Sequence, residues 1–472
     1  MDERPDLLLF MTDQQRHDQV GFATGGGWDT PALDGLARRG VVFERTYSGS
    51  TVCVPSRISL LTGLGAHRVP RADGLHLPEG YWTVARELGR AGYQTATVGK
   101  GHFRPIVGDY GFDTMRMCEH LSGADVDPET GRLVGGGDDY HRWLADQGLP
   151  DPRVDRSAAL PRAPGAPRPP RWPLDASAHP TSWVEREARQ VLASRDPDRP
   201  LYLVVSFPHP HAPLDPPEPY ESMYDPDDSS LPDDGFEVNE GLPWPFLEAL
   251  TVRTGPFGPA RPRSERALRE QDAVVRGLVR QIDDSIGRIL GDLDLERTVI
   301  GFTSDHGDYG GHRGLLRKVP WIPFEDLWRV PMVVAAPDGV AGRRSGRVQN
   351  LDWVPTALDY AGVPHDPALF EGCSLRPAVT DASWTGDDDR VMVGGVADGW
   401  PTIRVGSRKL ITRAHFTLPG RVLFDLDDDP GERVDLAADP ANAAEADELE
   451  ALLRRTTFVL PPELPGKPPS AV

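Results

Sequence analysis

The chain has 472 residues, 39% hydrophobic and 26% charged, which is the make-up of a folded globular protein and excludes a disordered or fibrous one. That length exceeds one compact core, so a large domain and a smaller one are expected. A formal net charge of -21 excludes the broad basic surface that binds nucleic acid, although a local cluster of cations can still hold a small anion.

In chain order, the apolar run Leu7 to Met11 predicts a buried strand. It is too short to span a membrane and lacks the form of a signal peptide, so a cytoplasmic protein without a membrane partner is expected. Thr30-Pro31 predicts a helix start and Gly40 its end, with a strand from Val41 to Phe43. A helix over Thr83 to Arg90 precedes a strand over Gln94 to Val98, and a helix over Trp183 to Ala193 precedes a strand over Leu201 to Phe207. Leu268, Val275, Leu278, Ile282, Ile286 and Ile289 form the stripe of a long helix from Ser264 to Leu290, before a strand from Thr298 to Thr303. Strands alternating with helices predict an α/β fold whose mixed, mostly parallel sheet is sandwiched by helices. The Pro-rich stretches 149–175 and 208–262 are expected to be irregular surface insertions. After residue 385 the texture changes to short strands at Val391 to Val396, Thr402 to Val405 and Val422 to Leu426, and a final helix at Ala443 to Thr456. A catalytic domain over 1–385 and a smaller α+β domain over 386–472 are therefore expected.

The three cysteines, Cys53, Cys118 and Cys373, have neither disulfide-framework nor zinc-finger spacing. Only four of the 51 cations are lysines: Lys100, Lys318, Lys409 and Lys467. A lysine kept in so Arg-rich a chain points to a need for a compact point charge.

Polar clusters follow the predicted strands: Asp13-Gln14 after the first, Lys100 and His102 after the Gln94 strand, His209 and His211 after the Leu201 strand, and Asp305-His306 after the Thr298 strand. Carboxyl ends of parallel strands line the ligand crevice of an open α/β sheet. Carboxylates, imidazoles, a lysine and a cysteine at one edge suit a divalent cation and an anion. Alone, each feature has a plainer reading: Asp13-Gln14 as a helix cap, His102 as a loop histidine, Gly307 to Gly314 as a turn, and Cys53 as a buried thiol before a helix.

Cys53-Val54-Pro55-Ser56-Arg57, continuing to Leu61-Thr62-Gly63, resembles the signature of the formylglycine-dependent sulfatases of the alkaline-phosphatase-like superfamily. Further resemblances follow in that family's order: Leu8 to Gln14, Gly99-Lys100-Gly101-His102, Pro210-His211-Ala212-Pro213, Ser304 to Asp308 with Lys318, and Leu423 to Leu426 before Asp429-Pro430. The resemblance implies that Cys53 is oxidised to formylglycine by a formylglycine-generating enzyme, and that the hydrated aldehyde attacks the sulfur of a small anionic sulfate ester. It implies one divalent cation on Asp13, Gln14, the modified Cys53, Asp305 and His306. Arg57 would hold the formylglycine, Lys100 and Lys318 would neutralise the sulfuryl oxygens, His102 would serve as base and His211 as acid. His209 would at most contact substrate, and His312 would support the site.

Many sulfatases carry two adjacent Asp at the first metal motif and Asp-Asn at the last. Asp13-Gln14 and Asp305-His306 instead resemble choline-sulfatase-like and phosphonate monoester hydrolase-like members. This leaves calcium or manganese as the cation, since imidazole suits manganese better than calcium. Lys100 and His102 favour sulfate monoesters. A phosphonate monoester hydrolase or phosphodiesterase with the same nucleophile, and a non-catalytic anion-binding protein, are the competing expectations.

Overall fold

The computed structural model describes residues 4–458 apart from 26, 71–75, 120–136, 153–170, 230, 233–238, 240, 253, 256–257, 260, 263, 388 and 414–419. The central sheet is built from β1 (Asp6–Asp13), β2 (Val41–Tyr47), β3 (Gln94–Gly99), β4 (Thr114–Met117), β5 (Leu201–Pro210), β6 (Thr298–Ser304), β7 (Arg329–Val330), β8 (Met332–Ala335) and β9 (Gly342–Gln349). Its order is β9-β2-β8-β6-β1-β5-β3-β4, with β7 on β2. The β3, β5, β1 and β6 ladders are parallel, and β8 runs antiparallel to both β6 and β2. This is the mixed, mostly parallel α/β sheet read from the sequence.

Successive side chains of β1 enter opposite layers, as the two-residue period of a strand requires. Leu7 and Leu9 pack with Val54, Ile58, Leu88, Trp353 and Leu358 on one face. Leu8 and Phe10 pack with Leu36, Trp183, Val184, Ile282 and Ile286 on the other. The helices supplying these residues are α1 (Pro31–Arg39), α2 (Cys53–Thr62), α3 (Val84–Arg90), α4 (Pro180–Ser194), α5 (Glu265–Leu290) and α6 (Trp353–Tyr360). Thr83 and Ser264 cap α3 and α5 by accepting from the backbone N–H three residues on. Thr30 does not cap α1 in this way; its hydroxyl accepts from Gly21 N and donates to Asp34.

The C-terminal region forms an antiparallel sheet, β10 (Met392–Gly394), β11 (Thr402–Val405), β12 (Arg408–Thr412) and β13 (Arg421–Asp425), covered by α7 (Ala443–Phe458). β12 is absent from the sequence reading because it holds only two apolar residues, Leu410 and Ile411. Its Lys409 is buried, pairing with Glu325 at 3.0 Å and Glu432 at 2.7 Å. The stretch 208–262 is not uniformly an irregular insertion. Pro208 to Pro210 complete β5, and the helix Trp244–Leu250 buries Phe246 and Leu250 against Trp400, Ile411, Val422 and Phe424. Most of 149–175 lies outside the described residues. None of the three cysteines forms a disulfide. Among the described residues, no helix is long and apolar enough to cross a membrane.

Candidate active site

Adjacent strands present their carboxyl ends side by side. Thr12 of β1 is level with Ser304 of β6, Asp13 with Pro210 of β5, and Gly99 of β3 with Ser206 of β5. The residues that follow therefore converge: Asp13-Gln14, Asp305-His306, His211 and Lys100. Gly99 sits at φ 100, where an added Cβ would lie 1.9 Å from Ser206 O. That close approach lets Lys100 N donate to Ser206 O at 2.9 Å and turns the lysine toward the site.

Cys53 enters from the opposite side as the first residue of α2, whose ten residues are all buried. Val52 precedes it without a side-chain cap, so the first turn's N–H groups add positive potential beside residue 53. Gly63 ends α2 at φ 67, where a Cβ would meet Phe370 at 2.7 Å, so only glycine fits this turn.

Asp13, Cys53, Asp305 and His306 are all buried, with one ligand atom from each lying within 4.8 Å of the others. Arg57 bridges the carboxylates, its Nε 2.9 Å from Asp305 Oδ2 and its Nη2 3.0 Å from Asp13 Oδ2. Its Nη1 donates to Lys100 O at 2.6 Å and Ser206 Oγ at 2.8 Å. Lys100 Nζ forms an ion pair with Asp13. Lys318 Nζ lies 2.6 Å from Cys53 Sγ and 3.1 Å from His306 Nε2. His306 Nε2 is itself 3.3 Å from that sulfur.

These contacts set the charges. Burial pushes the Asp13 carboxyl up, but Lys100, His211, Arg57 and Lys318 outweigh it and hold Asp13 well below the usual carboxylate range. Burial and Asp13 push the Cys53 thiol up, and Lys318, Lys100 and His306 bring it below its ordinary value. Burial opposes the charge on Lys318, yet Cys53 and Asp13 raise its pKa. His211 and His102 are held well below the usual imidazole value, first by burial and then by Lys318 and Lys100, and by Lys100 and Arg57, respectively. Both rings are therefore neutral at pH 7.

The donor set fits a divalent cation. Two buried carboxylates face one point, and His306 Nδ1 is 2.8 Å from Gly307 O. Donation to that carbonyl puts the proton on Nδ1 and leaves the Nε2 lone pair toward the cluster, as in metal-ligating imidazoles. Gln14 stands at φ 64, its N donating to Asp305 Oδ1 at 3.0 Å and its Nε2 to Asp308 Oδ2 at 2.5 Å, so that its amide oxygen is the atom it would offer to a cation. One carboxylate pair, an amide, an imidazole and an oxygen on residue 53 would make a mixed oxygen–nitrogen shell.

The other predicted residues separate. His211 Nδ1 lies 2.7 Å from Ala212 O, and its ring feels the charges of Lys318, Lys100 and Asp13. His102 stands at φ 56 with its N, like that of Gly101, donating to Glu119 Oε1 at 2.8 Å. His209 turns to a different group: its ring stacks on His179 at 4.7 Å and its Nδ1 is 3.2 Å from Thr181 Oγ1. His312 faces Asp326 at 3.6 Å. Ser206, Glu119 and Asp398 escape the sequence reading. Ser206 lies within an apolar strand and Glu119 beyond a four-residue edge strand. Asp398 comes from the C-terminal region, where its Oδ2 accepts from Ser50 Oγ at 2.5 Å and Thr51 N at 3.1 Å just ahead of Cys53.

The sulfatase family model matches residues 5–363. An arylsulfatase of Clostridium perfringens is 31% identical over 409 residues, covering 82% of this chain and 80% of that protein. A choline-sulfatase of Rhizobium meliloti is 29% identical, covering 93% of this chain and 83% of its own. The solved phosphonate monoester hydrolase of Silicibacter pomeroyi shares the fold at a TM-score of 0.77 and 24% identity, over 96% of this chain and 95% of that one. Reaching from β1 to beyond β9 and taking in Asp13, Cys53, Lys100, His211, Asp305 and Lys318, the family match places this chain in the sulfatase family.

Proposed function

We propose that this protein hydrolyses a sulfate monoester to an alcohol and inorganic sulfate, with residue 53 acting as formylglycine. The observation that carries the reading is the placement of Cys53: at the start of a buried helix, 2.6 Å from Lys318 Nζ, beside two carboxylates joined by Arg57. When present, the hydrated aldehyde supplies the oxygen nucleophile, and a cation on Asp13, Gln14, Asp305 and His306 supplies charge against the sulfuryl oxygens.

The chain's own residues do the rest. Lys100, paired with Asp13, and Lys318, beside Cys53, serve as fixed cations for the sulfuryl oxygens, a preorganised arrangement that needs no rearrangement as charge shifts. Arg57 holds both carboxylates and is spent on them, so it orders the site. His102, neutral and held by Glu119 through its backbone, is the base that removes the proton when sulfate is eliminated. His211, neutral at rest, gains proton affinity when a sulfate anion offsets Lys100 and Lys318, and then protonates the leaving alcohol. Calcium and manganese are the cations this shell suits.

The Asp13-Gln14 and Asp305-His306 donor pattern favours one other reading, hydrolysis of a phosphonate monoester at the same centre. The test is peptide mass spectrometry across residue 53 after co-expression with a formylglycine-generating enzyme, followed by rates on an aryl sulfate and an aryl phosphonate monoester. An aldehyde mass with faster sulfate turnover supports the proposal. An intact thiol refutes the nucleophile, and faster phosphonate turnover moves the protein to the second reading.

A further inference from the structure

Arg317 directly precedes Lys318, but the two side chains serve different places. Lys318 reaches Cys53, whereas Arg317 lines a pocket with Gln14, Asp308, Gly310, Pro210 and Ala212. That pocket adjoins the reaction centre: Gln14 follows Asp13, and Pro210 and Ala212 flank His211.

The backbone of Arg317 is held at φ 63, a conformation an arginine seldom adopts, by donation of its N to Asp308 Oδ1 at 3.1 Å. Its Nε and Nη1 are buried, with no hydrogen-bond partner among the described residues. A guanidinium cannot shed its charge, so such buried donors are costly unless something accepts from them. The other charges around this pocket are committed. Asp308 accepts from Gln14 Nε2, Gly310 N and Arg317 N. Arg16 pairs with Asp18 at 2.5 Å, and Asp272 with Arg276 at 2.7 Å. Burial weakens the protonated form of Arg317, and Asp308 offsets this only in part.

We infer that Arg317 is a specificity residue for the alcohol part of the substrate, and that the small pocket takes a second anionic group carried by that alcohol, a carboxylate or a second sulfate. The inference rests on the hydrolytic reading above for which side the alcohol occupies. The second anion accepts from the buried Arg317 donors while the sulfate under attack lies between Lys100 and Lys318.

The test has two arms. In the first, formylglycine-bearing, metal-loaded enzyme is assayed on phenyl sulfate and on its 2-, 3- and 4-carboxy derivatives, with Arg317→Gln and Arg317→Lys alongside. At least one carboxylated isomer should exceed phenyl sulfate in kcat/KM by about tenfold, chiefly through KM, as expected for one charge-assisted contact. Arg317→Gln should erase that ratio and Arg317→Lys should keep part of it. Equal ratios in wild type and Arg317→Gln for every isomer overturn the proposal. In the second arm, dissociation constants are measured calorimetrically for benzenesulfonate and the carboxybenzenesulfonates, which cannot be hydrolysed. Tighter binding of a carboxylated isomer to wild type but not to Arg317→Gln supports the subsite even if no sulfate ester is turned over. Turnover of sulfate esters with no carboxylate preference in either arm removes the subsite and leaves the hydrolytic reading standing.

Discussion

The Nζ of Lys318 lies 2.6 Å from the Sγ of Cys53, the shortest contact that the sulfur makes among the described residues. The ammonium lowers the thiol's pKa, and the thiol raises that of the ammonium. Replacing Lys318 with Met in protein whose Cys53 is left unmodified should therefore raise the thiol pKa. Titrating the thiolate absorbance checks this, and an unchanged titration would place the lysine elsewhere. In the matured enzyme, the same variant should lose about 10²- to 10³-fold in kcat on an aryl sulfate, the scale for one preorganised charge-stabilising donor.

Arg57 donates to both Asp13 and Asp305, at 3.0 and 2.9 Å. Arg57→Ala leaves Asp13 to Lys100 but takes from the buried Asp305 its guanidinium partner, and should destabilise the metal-free protein by about 3–5 kcal/mol, read by urea unfolding. A divalent cation replaces part of the lost charge, so its addition should raise the variant's Tm more than that of wild type.

His306 supplies the one nitrogen of the proposed metal shell. Chelation should abolish turnover, and readdition of calcium or manganese should restore it. His306→Asn exchanges the imidazole for an amide oxygen, so the ratio of apparent manganese to calcium affinity should fall. Metal titrations followed by Tm measure it; an unchanged ratio would show that His306 does not ligate.

Glu325 sits where the C-terminal sheet meets the central one, paired with Lys409 at 3.0 Å. Burial pushes its carboxyl up, but Lys409, Arg404 and Arg329 pull it down to about 2, against roughly 4.3 in an unfolded chain. A depressed folded value means that its stabilisation is present above about pH 4.3 and is lost as pH falls toward 2. Glu432, whose pKa burial raises, acts in the opposite sense. Glu325→Gln should thus lower Tm at pH 7 and flatten the acid limb of the Tm–pH curve, as measured by calorimetry. A limb as steep as that of wild type would contradict the assignment.

Local sequence determined much of this protein. Apolar runs such as Leu7 to Met11 and Leu201 to Phe207, short and set between turn signals, read as buried strands, and the stripe on α5 marks the face that it buries. Because the ends of parallel strands meet at one edge, the convergence of Asp13, Lys100, His211 and Asp305 is legible in the sequence. Tertiary structure decided what short or polar segments do. β12 has too few apolar residues to declare itself, and Lys409 is buried there because Glu325 and Glu432 arrive from distant parts of the chain. His209 and His211 lie two residues apart, yet one stacks on His179 while the other faces the lysines, a division that no spacing rule carries. Arg317 and Lys318 divide in the same way, because the left-handed turn at Arg317 sends neighbouring side chains to different pockets. Hydrophobic periodicity is a local property that survives in one dimension, whereas the pairing of buried charges is settled only when remote segments meet.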